Sequence, residues 1–204
     1  MTKRVVVRNW LLGAVIGLFG VVVPVQADEW QEASAVVVST TDDMLSLLVS
    51  NKKQTVAEVT PAIDLVLAPV VDFRTIAKGV MAKYYRRAKP AQFDTFVTVF
   101  HESLIKTYAK AVVTFEIDSF KLQKNPGVDT RELREKIWVK VYASNNVYDI
   151  HYTMSAKSGQ WMVTNVVLDG VNLGLAFRNQ FATAMSKNGN DMDAVIADWN
   201  LGSS

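Results

Sequence analysis

Cysteine is absent from all 204 residues of the chain, so no disulfide framework can staple the fold and stability has to come from a hydrophobic core. Histidine is scarce: His101 and His151 are the only two, and they stand in none of the usual metal-ligand spacings. There is no GxSxG elbow, no P-loop and no GxGxxG turn, the short motifs that announce a serine hydrolase, a nucleoside-triphosphate site or a dinucleotide site. Repeats, low-complexity tracts and Gly/Ser- or Pro-rich linkers are also missing, which predicts one domain. What the chain does have is apolar side chains, 50% of the whole. A chain of this length buries roughly 70% of its unfolded surface, enough for an independent core.

The N-terminus carries its own signal. Lys3, Arg4 and Arg8 precede an apolar run from Leu11 to Val23, and Val25-Gln26-Ala27 offers compact residues at the positions a signal peptidase reads. Residues 1–27 therefore read as a secretory signal peptide cleaved after Ala27, which leaves a soluble domain over 28–204. The run is short of the roughly 20 residues that a membrane-spanning helix needs. No cysteine follows it, so lipid attachment at the cleavage site is excluded.

Export also changes the charge. The 22 Lys and Arg residues against 20 Asp and Glu give a formal +2. Three of the basic residues and none of the acidic ones lie in 1–27, so 19 face 20 in the remaining domain, a formal −1. The apparent basicity belongs to the signal and gives no support for nucleic-acid binding.

Hydrophobic periodicity splits the domain in two. Asp28–Ser50 reads as a helix with Val37, Met44, Leu45 and Leu48 on one face. Thr55 and Glu58 form a capping box that opens a second helix, which should end near Ala68 because Pro69 disfavours helical backbone before it. A third helix is expected from Asp72 to about Arg86. A fourth starts at Pro90, runs to about Val113 and carries Phe93, Phe96, Val97, Phe100, Leu104, Tyr108 and Val112 on a wide face. After Thr114 the period changes to two. Phe115–Lys121, Lys136–Ala143, Val147–Ala156 and Gln160–Asp169 read as strands, with hairpin turns at Asn145-Asn146 and Ser158-Gly159 and a longer polar connection over Gln123–Glu135. The expected fold is α+β: a four-stranded antiparallel sheet packed against a mainly N-terminal set of helices. A last helix covers about Asp191–Trp199.

Trp161–Phe181 joins the last strand to an amphipathic helix with Leu173, Phe177 and Phe181 on one side, and Gly170 breaks the strand at the join. A sheet edge and a helix that both carry large apolar side chains build the wall of a cavity. Tyr142, Tyr148, Tyr152, Trp138 and Trp161 are more aromatics than one four-stranded face needs, which points the same way. Asp149 and His151 would share a strand face opposite Ile150, Tyr152 and Met154, where an acid/base dyad is one reading and a solvated polar face the other. His101, beside Glu102 in a helix, is expected at the surface.

Two blocks carry a resemblance. Asp72-Phe73-Arg74, Pro90-Ala91-Gln92 and LIKTYAKA over Leu104–Ala111 stand in one, and VVLDGVNLGLAFRNQF over Val166–Phe181 is the other. In this order they resemble the periplasmic MlaC family of phospholipid-binding proteins, also called toluene-tolerance auxiliary proteins. The likeness covers about Asp28 to Asn200, with Asn172 where the family usually has serine and Ala176-Phe177 where it usually has Asn-Tyr. The resemblance implies a periplasmic, non-enzymatic phospholipid shuttle with no cofactor beyond the carried lipid, expected to be a monomer. Its implied partners are an outer-membrane lipoprotein–porin complex and an inner-membrane ABC transporter complex with an MCE-domain protein. The acyl chains would lie between sheet and helices. Val139, Val141, Ile150, Tyr152, Met154, Val166 and Leu168 would line them from the sheet, and Phe73, Ile76, Val80, Phe100, Leu104, Tyr108, Val112, Phe177 and Phe181 from the helices. Arg178 would pair with a carboxylate such as Asp169 or face a partner. A cavity enzyme of isomerase or dehydratase type, using Asp149 and His151, and a periplasmic adaptor without bound lipid are the rival readings.

Overall fold

The computed structural model describes residues 26–50, 54–114, 117–124, 127, 133–143 and 146–199. Most of the expected signal segment, residues 1–25, lies outside them. Helix α1 (Gln26–Ser50) turns Ala33 and Val37 into the core. Helix α2 (Val56–Leu67) begins at the expected capping box, where Glu58 Oε2 accepts from the Thr55 backbone N–H at 2.7 Å and from its hydroxyl at 2.8 Å. Val59, Ile63 and Leu67 form its buried stripe, and the helix stops ahead of Pro69 as expected.

Helix α3 (Phe73–Met81) is capped by Asp72, whose carboxylate accepts from the Thr75 N–H at 2.8 Å. The sequence reading continued this helix to about Arg86. The chain instead tightens into a 3-10 helix over Ala82–Arg87, through Ala82 at φ 48°. The tighter winding lets Tyr84 reach Phe181, with ring centroids 5.9 Å apart, while Tyr85 meets Phe93 edge-on at 4.9 Å. Helix α4 (Pro90–Thr114) starts on proline, whose missing N–H costs nothing in a first turn.

Among the described residues five strands follow, not the four expected: β1 (Ile117–Leu122), β2 (Arg134–Ala143), β3 (Asn146–Ser155), β4 (Met162–Leu168) and β5 (Val171–Asn172). They form an antiparallel meander in the order β1-β2-β3-β4-β5. The extra strand is two residues long, too short to show a period. Asp169 at φ 46° and Gly170 at φ 82° make the two-residue turn that pairs Val171 with Leu168. The β2–β3 turn is also shifted by one residue: Asn146 pairs with Ala143, so the connection is 144–145, which lies outside the described residues.

Register decides the faces. Ile137, Val139 and Val141 of β2 stand opposite Tyr152, Ile150 and Tyr148 of β3 on the inner face, while Lys136, Trp138, Lys140 and Tyr142 point outward. Helix α1 lies on β1 and β2, and α3 and α5 (Leu173–Lys187) lie against β4. A parallel bridge, Val71 to Val163, ties the α2–α3 junction to β4. Helix α6 (Met192–Ala197) brings Trp199 onto Phe96, Phe100 and Phe181, the aromatic centre of the core. Among the described residues, no helix is long and apolar enough to cross a membrane.

Candidate functional site

Burial divides the expected lining into two groups. Phe73, Val80, Phe100, Val139, Val141, Met154 and Phe181 are buried, and Phe100, Met154 and Phe181 have no accessible surface at all. Ile76, Leu104, Tyr108, Val112, Ile150, Tyr152, Val166, Leu168 and Phe177 are only partly buried, although each but Leu168 packs against the core. The division follows the helix packing. With α1 over β1–β2 and α3 and α5 against β4, no helix packs extensively on β3 among the described residues. The inner face of β3 and of the β4 end beside it therefore keeps accessible apolar surface.

Helix α4 shows the same effect. Its N-terminal half buries Phe93, Phe96 and Phe100 as expected. Farther along, Ile105 and Ala109 are the buried positions, and Leu104, Tyr108 and Val112 remain partly accessible. Burial pushes the pKa values of Tyr108 and Tyr152 upward, and the Tyr108 charge adds to the shift at Tyr152.

The aromatic surplus read from the sequence does not belong to one face. Trp138 and Tyr142 stand outside, Tyr148 and Tyr152 inside, because strand side chains alternate. Trp161, ahead of β4, is buried and donates its indole N–H to Glu32 Oε2 at 3.0 Å, pinning α1 to the sheet. Tyr148 was left out of the expected lining, yet it faces Val141 on the inner side. The strict alternation Tyr148, Ile150, Tyr152 would have found it.

The polar residues are engaged elsewhere. Asp149 and His151 share the outer face, as the alternation requires, on the far side of the sheet from the apolar strip. Asp149 accepts from Lys140 Nζ at 2.7 Å, which raises the lysine's pKa, and His151 stacks on Trp138 at 4.6 Å. Asp169 accepts the Asp149 N–H at 2.7 Å rather than pairing with Arg178. Arg178 Nε instead donates to Gly79 O at 3.0 Å and ties α5 to α3. His101 is not the simple surface residue expected. Its Nε2 lies 2.6 Å from Asp64 Oδ1 and its ring 4.2 Å from that of Phe73, because α2 and α3 close over this part of α4. The pair borders a pocket of about 640 Å³ between α2 and α4, which no expected lining residue touches. No group of three or more carboxylates and histidines suited to a metal ion occurs among the described residues.

The elbow is held by asparagines. Asn172 caps α5, its Oδ1 accepting from the Leu175 N–H at 3.0 Å, and Asn165 Oδ1 accepts from the Gly174 N–H at 3.2 Å. Both acceptors serve N–H groups that the first turn of a helix cannot satisfy itself.

Helices on one face of an antiparallel meander, with partly accessible apolar side chains on its inner face and Asp149 and His151 on the outer one, make a two-layer α+β fold. The chain belongs to the MlaC protein family, whose model matches residues 38–201. Toluene tolerance protein ttg2D of Pseudomonas putida is 36% identical over 169 residues, which span 80% of this chain and 78% of the relative. The chain is also similar in fold to a phospholipid-binding protein from Ralstonia solanacearum solved in complex with a phospholipid. The TM-score is 0.70 at 21% identity, over 82% of this chain and 99% of the other.

Proposed function

We propose that this protein is a non-enzymatic phospholipid carrier that holds acyl chains in an apolar cavity between the sheet and the helices. The observation that carries the reading is the strip of partly accessible apolar side chains on the inner face of β3 and β4, together with Leu104, Tyr108 and Val112 of α4 and Phe177 of α5, which pack against the core and also stay partly accessible. Membership of the MlaC family, and a structural neighbour that binds phospholipid, support it. The enzyme reading needs an acid/base pair among the apolar side chains, and Asp149 and His151 stand on the opposite face.

Physical chemistry explains why a carrier would be needed. Each methylene moved from hydrocarbon to water costs about 0.8 kcal/mol, so exposing two ordinary acyl chains costs on the order of 20 kcal/mol. A cavity nearly as apolar as a bilayer makes loading and unloading close to balanced, and a partner can then tip the exchange. In this reading residues 1–27 direct export to the periplasm and are removed after Ala27. The 28–204 domain passes lipid, as a monomer, between an outer-membrane lipoprotein–porin complex and an inner-membrane ABC transporter complex with an MCE-domain protein.

The test is lipid extraction and mass spectrometry of protein purified gently from the periplasm. Co-purifying phospholipid at near-stoichiometric amounts is the expected result. Protein that emerges empty and accepts no phospholipid from vesicles would sink the proposal.

A further inference from the structure

The outer face of the sheet carries a pattern that lipid carriage leaves unused. Lys136, Trp138, Lys140 and Tyr142 alternate along β2, so cation and aromatic follow one another down a single face. Lys136 and Trp138 are exposed and Lys140 and Tyr142 half-buried, so the row stays open to solvent. Neighbouring strands extend it. Lys121 of β1 pairs with Lys140, the exposed Val147 of β3 pairs with Tyr142, and His151 stacks on Trp138 with ring centroids 4.6 Å apart. Asp149 accepts from Lys140 Nζ at 2.7 Å and is the carboxylate in these rows. Three lysines against one carboxylate leave the face cationic, although 28–204 as a whole holds 19 basic residues against 20 acidic. Like charges directly opposite in a sheet are destabilising, and Lys121 with Lys140 is such a pair. An anionic surface laid over the face would relieve that repulsion.

We infer that this face docks the protein on a lipid bilayer containing anionic headgroups. Lysines are drawn to such a surface, and tryptophan and tyrosine, apolar in body and polar at the tip, settle at headgroup level. Alternation along one strand gives both kinds of side chain a common depth. An acidic protein partner fits less well. Protein interfaces gather apolar residues at the centre and leave charge to the rim, whereas here Lys136 and Lys140 flank Trp138 in the middle of the patch. The patch lies across the sheet from the accessible apolar strip, so docking does not depend on the carrier reading.

The experiment sediments protein purified from the periplasm with sucrose-loaded vesicles of phosphatidylcholine, with or without phosphatidylglycerol. Docked protein enters the pellet, whereas protein that has only extracted a lipid stays in the supernatant. Wild type should pellet with the anionic vesicles at low salt, stay behind with the neutral ones, and be released at high ionic strength. A lysine at such a surface contributes about fivefold in affinity, so Lys121→Gln/Lys136→Gln should bind about twenty-five-fold more weakly. Lys106→Gln/Lys187→Gln removes the same charge from α4 and α5 and should bind like wild type. All four lysines are exposed, so melting temperatures should stay unchanged. Trp138→Ala should also weaken docking, at constant net charge. A wild type that ignores the anionic vesicles overturns the inference, and its retention on immobilised polyglutamate would then make an acidic protein the occupant. Equal losses from the two lysine pairs overturn it as well, because net charge and not this face would account for the binding.

Discussion

Asn165 and Gly174 meet so closely that a side chain on the glycine would have to displace that of the asparagine. Asn165 Oδ1 accepts from the Gly174 N–H at 3.2 Å, and a Cβ added to Gly174 would lie 2.5 Å from that oxygen. Gly174→Ala must push the asparagine away and strand the N–H, at a cost of roughly 1–3 kcal/mol. In an Asn165→Ala background the clash is gone, and the same substitution should be neutral or slightly stabilising, since alanine is the better helix former. Chemical denaturation of the four proteins in this cycle measures the coupling. Equal costs in both backgrounds would show that the contact is not what excludes alanine.

The cap on α5 makes a graded prediction. Asn172→Ala should destabilise by about 1 kcal/mol, because the Leu175 N–H loses its acceptor. Asn172→Ser should stay within about 0.5 kcal/mol of the wild type, because serine caps by the same geometry. Thermal unfolding of the two variants side by side decides it, and a serine variant as weak as the alanine one would refute the capping role.

Trp161 and Glu32 should behave asymmetrically. Glu32→Ala leaves a buried indole N–H without its acceptor and should cost roughly 1–3 kcal/mol, whereas Glu32→Gln keeps a carbonyl oxygen in reach and should cost less. Intrinsic tryptophan fluorescence under denaturant follows both.

Glu58 gives a pH dependence with a definite sign. The Thr55 backbone N–H, then its hydroxyl, hold the Glu58 pKa below its ordinary value in the folded state. A carboxylate depressed on folding stabilises above its unfolded pKa, and that contribution disappears as pH falls through the folded pKa. The melting-temperature gap between wild type and Glu58→Gln should therefore be widest at neutral pH and close as pH drops through the carboxylate range. A gap that widens on acidification would reverse the assignment.

Core and lining should separate by phenotype. Phe181 is fully buried against Phe96 and Trp199, and Phe181→Ala should cost roughly 3–5 kcal/mol. Ile150 keeps accessible surface, so Ile150→Trp should fill ligand space instead and weaken phospholipid uptake about tenfold with little loss of melting temperature. Uptake from labelled vesicles, paired with thermal melts, reads both effects. An Ile150→Trp protein that binds lipid normally would remove Ile150 from the lining.

Much of the architecture was legible in the order of residues. Thr55 with Glu58, Pro69 and Pro90 set helix boundaries by local chemistry, and the alternation through β2 and β3 put Asp149 and His151 opposite Ile150 and Tyr152 before any contact was known. The fifth strand was legible in principle, since Asp169-Gly170 is a strong hairpin signal, but two residues carry no period. The split between buried core and accessible apolar surface was half legible. Phe100, Val139, Met154 and Phe181 share apolar character with Ile150, Tyr152 and Val166, and nothing in residue type separates the buried group from the accessible one.

By itself, then, the sequence determined which residues of a strand share a face, where the helices start, and that no disulfide or familiar catalytic motif would carry the protein. Those properties depend on side-chain period, caps and backbone restrictions, all of which act over a few residues. The tertiary structure decided that α1 covers β1 and β2, that α3 and α5 press on β4, and that β3 is left between them. Which apolar side chains close into core and which stay accessible depends on where helices distant in sequence come to rest, a long-range packing outcome that local residue patterns do not encode.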